Sequence, residues 1–217
     1  MTVLDVAGVL LDMDGTLVDS TGMVDQVWGD FAREVGLDPA VVLAHVHGVP
    51  ARATLRRFLG DDADIEPWFA RISAWENERF DAEVEVPGAV AAVRAIPPAR
   101  WAVVTSAVRT AALRRMERLG FPEVTRMVAA EDVERGKPDP EPYRRGAGLL
   151  GTTAGECVVF EDADAGVRSA LEAGATVVVV GGLSTPATEG LPRVADMREV
   201  SFGAGPLGVR VTLGAPR

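Results

Sequence analysis

The chain has 217 residues, 47% of them hydrophobic and 25% charged, which is enough apolar surface for one core domain carrying at most a small insert. A formal net charge of −10 argues against a surface built for nucleic acid or an anionic membrane, so an anionic substrate would need a metal or local cations to receive it. The single cysteine, Cys157, excludes an intrachain disulfide and suits a reducing, cytoplasmic compartment.

Met1 to Asp5 has neither the basic stretch nor the apolar run of a signal peptide. Val6 to Leu11 is a continuous apolar run that predicts a strand, and it ends in Asp12 and Asp14. From Leu17 to Val84 no strand is predicted, only helical patterns such as Met23 to Val35 and Pro67 to Phe80. That gap far exceeds an ordinary crossover, so it reads as a helical insert domain ending near Val86-Pro87-Gly88. The expected division is a core of residues 1–16 and 85–217 and an insert of residues 17–84.

Trp101 to Val104 predicts the next strand, ending at Thr105 and Ser106, and Thr110 to Leu119 predicts a helix closed by Gly120. Thr125 to Ala129 is a weaker strand, and Pro140 to Leu150 a helix that follows the loop Gly136-Lys137-Pro138-Asp139. Cys157 to Phe160 predicts a strand, with the cysteine packed as a small hydrophobe, and it ends at Glu161 and Asp162. Ala165 to Ala173 predicts a helix closed by Gly174 and capped by Asp164. Thr176 to Val180 is another strand, well short of the ~20 apolar residues that span a bilayer. Residues 183–206 carry no pattern, and Val209 to Leu213 predicts a last edge strand. Continuous apolar runs suit strands buried on both faces, and their alternation with helices predicts a doubly wound α/β fold with a mostly parallel sheet.

Polar groups gather where the apolar strands end: Asp12 and Asp14, Thr105 and Ser106, Glu161 and Asp162. In an open parallel sheet these carboxyl ends line the ligand crevice, so the three clusters should converge. Carboxylates brought together repel one another unless a divalent cation is present, and hard oxygen ligands suit Mg²⁺. Asp12 is a candidate nucleophile toward a phosphoryl group. Gly15 lets the backbone turn so that amide groups can face phosphate oxygens. Asp14 is a candidate to protonate a leaving alcohol and then to activate water. Thr105 or Ser106 supplies a neutral hydrogen bond, and Lys137 the positive charge.

Asp12-Met13-Asp14-Gly15-Thr16-Leu17, Thr105-Ser106, Gly136-Lys137-Pro138 and Glu161-Asp162 with Gly166 resemble the four ordered motifs of the haloacid dehalogenase-like hydrolases. The resemblance implies a Rossmann-like core with an α-helical cap inserted after the first motif. It also implies Mg²⁺ held by Asp12, the backbone carbonyl of Asp14, and Asp162, with Glu161 nearby. His47-Gly48-Val49-Pro50, Glu85 to Val90, Trp101-Ala102-Val103 and Gly136 to Tyr143 are similar to glycerol-phosphate and 2-deoxyglucose-6-phosphate phosphatases. Small phosphorylated sugars or polyols are therefore the expected substrates. Within the insert, His47 beside Gly48 reads either as a side chain facing substrate or as a partly buried polar residue. Arg52 is a candidate for substrate phosphate or hydroxyls, or an ordinary surface arginine. The rival within the family is a sugar phosphomutase of the β-phosphoglucomutase type, which by resemblance needs a cap histidine and a cap lysine. The matching positions here are Val24 and Glu76, which favours water as the acceptor.

Overall fold

The computed structural model describes residues 1–46, 49 and 51–214. In chain order the elements are β1 (Thr2–Val6), β2 (Gly8–Leu11), β3 (Val18–Asp19), α1 (Thr21–Glu34), α2 (Pro39–Val46), α3 (Ala51–Leu59), α4 (Glu66–Glu78) and β4 (Val84–Glu85). There follow α5 (Ala89–Ala95), β5 (Trp101–Val104), α6 (Arg109–Arg118), β6 (Met127–Val128), α7 (Glu141–Leu149) and β7 (Cys157–Glu161). The chain ends with α8 (Asp164–Glu172), β8 (Thr176–Val180), β9 (Arg193–Val194), β10 (Val200–Gly205) and β11 (Gly208–Leu213). Two compact units result, Met1–Val18 with Glu85–Arg217, and Asp19–Val84. β3 and β4 pair as a short ribbon where the chain passes between them.

The first unit is built on a six-stranded sheet in the order β6-β5-β2-β7-β8-β9, with every neighbouring pair parallel. Its strands feed two separate cores because successive side chains point to opposite faces. Val9, Leu11, Val103, Val158 and Phe160 pack with Ala89, Val93, Ala112 and Met116 of α5 and α6. Leu10, Ala102, Val104, Val159 and Val177 pack with Tyr143, Ala147, Val167 and Ala170 of α7 and α8. Helices thus cover both faces, as the unbroken apolar strands require. β5 and β7 flank β2 on opposite sides, so the strand order reverses at β2 and a crevice opens beyond its carboxyl end.

Four expectations are corrected. The run Val6 to Leu11 is not one strand: the chain breaks at Ala7, and β1 leaves for a second sheet while β2 stays in the first. That second sheet, β1-β11-β10, is antiparallel, and β11 lies in its middle rather than at an edge, pairing Leu4 with Val211 on one side and Phe202 with Val211 on the other. The apparently patternless 183–206 holds both β9 and β10. Asp164 does not cap α8. Ala163 occupies that position, and Asp164 instead pairs with Arg168 and accepts the Thr185 hydroxyl at 2.6 Å.

The second unit is helical. Met23, Val27 and Phe31 recur one turn apart along α1 and pack with Val42, Leu55, Ile65 and Ile72. Phe31 meets Trp28 and Trp68 edge-on at ring distances of 5.3 and 5.1 Å, an aromatic arrangement that adds specific geometry to burial. Asp19 accepts the backbone N–H of Thr21 at 2.9 Å and so orders the entry to α1. Among the described residues no helix is long and apolar enough to cross a membrane.

Candidate active site

Asp12 follows β2 directly, and its backbone N–H donates to the carbonyl of Phe160 at 3.1 Å, continuing the parallel ladder one residue past the strand. The chain then turns tightly: the amides of Leu17 and Val18 both donate to the Met13 carbonyl at 2.9 Å. Gly15 sits at the turn with φ +81°, a backbone that side-chain-bearing residues rarely adopt. A Cβ there would lie 1.9 Å from Asp162 Oδ2, so the missing side chain is what lets the β7 loop approach the β2 loop. Thr16 completes the junction by donating to Asp162 Oδ1 at 3.3 Å.

Lys137 stands at the centre of the charged network. Its buried ammonium donates to Asp12 Oδ1 at 2.5 Å, to Glu161 Oε1 at 2.8 Å and to the Val104 carbonyl at 3.0 Å, three acceptors for three protons. Burial works to lower its pKa, but Asp12 and Glu161 together raise it well above the usual lysine value, so the charge persists. Glu161 is almost fully buried and is organised by four donors. Oε1 takes Lys137 and the Tyr143 hydroxyl at 2.9 Å, and Oε2 takes the backbone amides of Asp162 and Ala163, each at 2.9 Å.

Asp12, Glu161 and Asp162 each bring one carboxylate oxygen into a group spanning no more than 4.8 Å. Lys137 does not satisfy all three. Burial first, then Glu161, push the Asp12 carboxyl well above the usual range against the pull of Lys137. The same two causes push Asp162 up to about 7. Such a buried surplus of negative charge is what a hard divalent cation relieves, and the donors are all oxygen, so the residues present fit a metal of that kind. Asp14 sends its side chain elsewhere, to the guanidinium of Arg115 on α6, so its expected share in metal binding rests on its backbone carbonyl.

Thr105 is buried beyond β5. Its hydroxyl accepts the Ala107 amide at 3.0 Å, which leaves its proton to donate. Ser106 is exposed beside it. Arg52, in the helical unit, pairs with Glu66 and stacks 3.8 Å above the Phe69 ring. His47 and Gly48 lie outside the described residues. Sequence reasoning did not find Tyr143 and Arg115. Tyr143 follows the Gly136-Lys137-Pro138 loop at helical spacing, and its place on the buried face of α7 was the available signal.

The model of the haloacid dehalogenase-like hydrolase family matches residues 6–174. The chain belongs to that family. Within it, the chain is 44% identical over 177 residues to hexitol phosphatase A of Escherichia coli, covering 80% of this chain and 82% of that protein. It is 34% identical over 187 residues to glycerol-1-phosphate phosphohydrolase 2 of Saccharomyces cerevisiae, covering 81% and 74%. A haloacid dehalogenase-family hydrolase from Deinococcus radiodurans, solved with phosphate and sodium bound, superposes with a TM-score of 0.69 at 27% identity, covering 87% of this chain and 90% of that one. The expected resemblance to sugar and polyol phosphatases of this family is met by these relatives.

Proposed function

We propose that this haloacid dehalogenase-like hydrolase removes phosphate from small phosphorylated sugars or polyols, with Mg²⁺ as cofactor and Asp12 as the residue that carries the phosphoryl group. The chain is a phosphoric monoester hydrolase. The observation that carries the mechanism is the sharing of the Lys137 ammonium between Asp12 and Glu161 beside Asp162. Lys137 holds Asp12 Oδ1, so attack on phosphorus falls to Oδ2, and the ammonium favours the ionised nucleophile against the burial and the Glu161 charge that oppose it.

Asp12, Asp162 and the Asp14 carbonyl are the groups to hold the metal, with Glu161 fixing Lys137 and the Asp162 backbone rather than ligating. The bound cation offsets the excess carboxylate charge and polarises the phosphoryl oxygens. Thr105 and Ser106 donate to a non-bridging oxygen, and the turn amides around Gly15 face the phosphate. In the first half-reaction the Asp12–phosphorus bond forms, the ester oxygen leaves, and Asp14 protonates it. In the second, Asp14 takes a proton from water as that water displaces Asp12 from phosphorus. The helical unit 19–84 is the cap that selects the substrate's organic part, and Arg52 joins that task only by leaving Glu66. Hydrolysis is preferred to phosphoryl transfer between sugar positions because Val24 and Glu76 stand where a mutase needs a basic pair.

A panel of phosphorylated sugars and polyols, assayed for released phosphate, tests this. Activity should vanish with EDTA and return with Mg²⁺, and Asp12→Asn should abolish turnover while leaving the fold intact. Residual hydrolysis near the parent rate in Asp12→Asn would refute the mechanism.

A further inference from the structure

We propose that Arg115 is a positioning residue for Asp14, fixing the carboxylate that moves the proton; this rests on the phosphatase reading above. The network around Lys137 anchors Asp12 and Glu161, Thr16 anchors Asp162, and Thr105 holds the Ala107 amide. Asp14 stands apart from these contacts with a side chain 45% exposed, and Arg115 Nη2 donates to its Oδ1. The Arg115 side chain is only 12% exposed, whereas its neighbours Arg114 and Arg118 on α6 are exposed.

Helix geometry explains how a residue 101 positions away arrives there. Side chains on a helix lean toward its N-terminus and lie over the preceding turn. For Arg115 that turn carries Ala111 and Ala112, which are small enough to let the guanidinium run along the helix. The N-terminus of α6 begins just past Thr105 and Ser106, at the sheet edge that carries the site. Taking a guanidinium this far out of water is unfavourable unless it is paired, so the contact differs from an incidental surface ion pair. With Oδ1 held, Asp14 presents Oδ2 to give a proton to the leaving oxygen and to take one back from water. The cycle leaves Asp14 as it began.

The test uses the Mg²⁺-loaded enzyme with p-nitrophenyl phosphate, whose leaving group needs no proton. Formation of the acid-stable phosphoenzyme in a single turnover should proceed within about twofold of the parent rate in Arg115→Met. Steady-state kcat, which needs Asp14 as base, should fall about tenfold to a hundredfold with KM within about twofold. Arg115→Lys should recover part of the loss. In the Asp14→Asn background, Arg115→Met should lower kcat no further, because a positioning residue acts on the chemistry through Asp14. Burst amplitude reports the folded fraction, so a folding defect lowers the amplitude and not the ratio of rates. The proposal is overturned if kcat stays within about twofold of the parent, if KM alone rises, or if the loss is the same size in the Asp14→Asn background. Failure of the phosphatase reading itself would look different, as absence of phosphoenzyme and turnover in the parent protein.

Discussion

Gly166→Ala sets two magnitudes against each other. Gly166 lies in the first turn of α8, where helix propensity alone predicts a gain of about 0.5–1 kcal/mol for alanine. An added Cβ, however, would sit 1.5 Å from Glu161 Oε1 and 2.0 Å from its Cδ, so the carboxylate has to leave its place. Leaving unmakes the bonds from Lys137, Tyr143 and the amides of Asp162 and Ala163. Bonds to a charged acceptor contribute roughly 1.5–3 kcal/mol each, so losing even two of the four gives about 3–6 kcal/mol. Overpacking adds about 1–3 kcal/mol. The clash wins by several kcal/mol, a large share of the ~5–15 kcal/mol stability of an ordinary domain. Gly148→Ala is the control. It lies on the exposed face of α7, a Cβ there meets no atom within 4 Å, and the same substitution should stabilise by up to about 1 kcal/mol. Urea unfolding of both variants in EDTA, with m-values compared, measures the difference. A Gly166→Ala protein as stable as the parent would refute the account of how Glu161 is held.

Metal-free protein should lose stability as pH rises from about 4 to about 7. Asp162 holds its proton in the folded state up to about 7 and releases it near 4 when unfolded, so the folded state binds the extra proton across that window. Asp12 shifts the same way, and Mg²⁺ should flatten the slope by favouring the charged forms. Thermal midpoints against pH with and without Mg²⁺ check this, and a metal-free midpoint that holds level or climbs over the window contradicts it. Tyr143→Phe removes one of four donors from Glu161 and should lower stability by about 1–3 kcal/mol, with only a several-fold fall in kcat. Unchanged urea stability in that variant would mean the phenol contributes nothing to the site.

The catalytic strands were legible because a strand buried on both faces must be continuously apolar and must stop where polar chemistry begins. Leu10-Leu11-Asp12 and Val159-Phe160-Glu161 each mark that change in a single step. Pairing partners left no such mark. Val6 to Leu11 reads as one run although Ala7 divides two sheets, since both sheets bury the run alike. In β11 the alternating burial of Val209, Val211 and Leu213 shows a one-sided strand, but one-sidedness does not say whether one neighbour or two will pair with it. Arg115 was hidden for a related reason. It follows Arg114 in a helix with a strongly charged surface, and only the direction of its side chain separates it from that surface.

The charge of the site accounts for how an acidic protein receives an anion. Asp12, Glu161 and Asp162 carry −3 when ionised and Lys137 carries +1, leaving −2, the amount one divalent cation offsets. Without that cation burial and the surplus charge push the Asp12 and Asp162 carboxyls upward, toward the protonated form in which Asp12 is no nucleophile. Metal binding and activation of the nucleophile are therefore one event in this reading. It follows that replacing Asp162 by Asn lowers the surplus to −1, weakening metal affinity while easing ionisation of Asp12. Activity in Asp162→Asn should then fall at limiting Mg²⁺ and recover in part at high Mg²⁺, and loss that no Mg²⁺ concentration relieves would separate the two events.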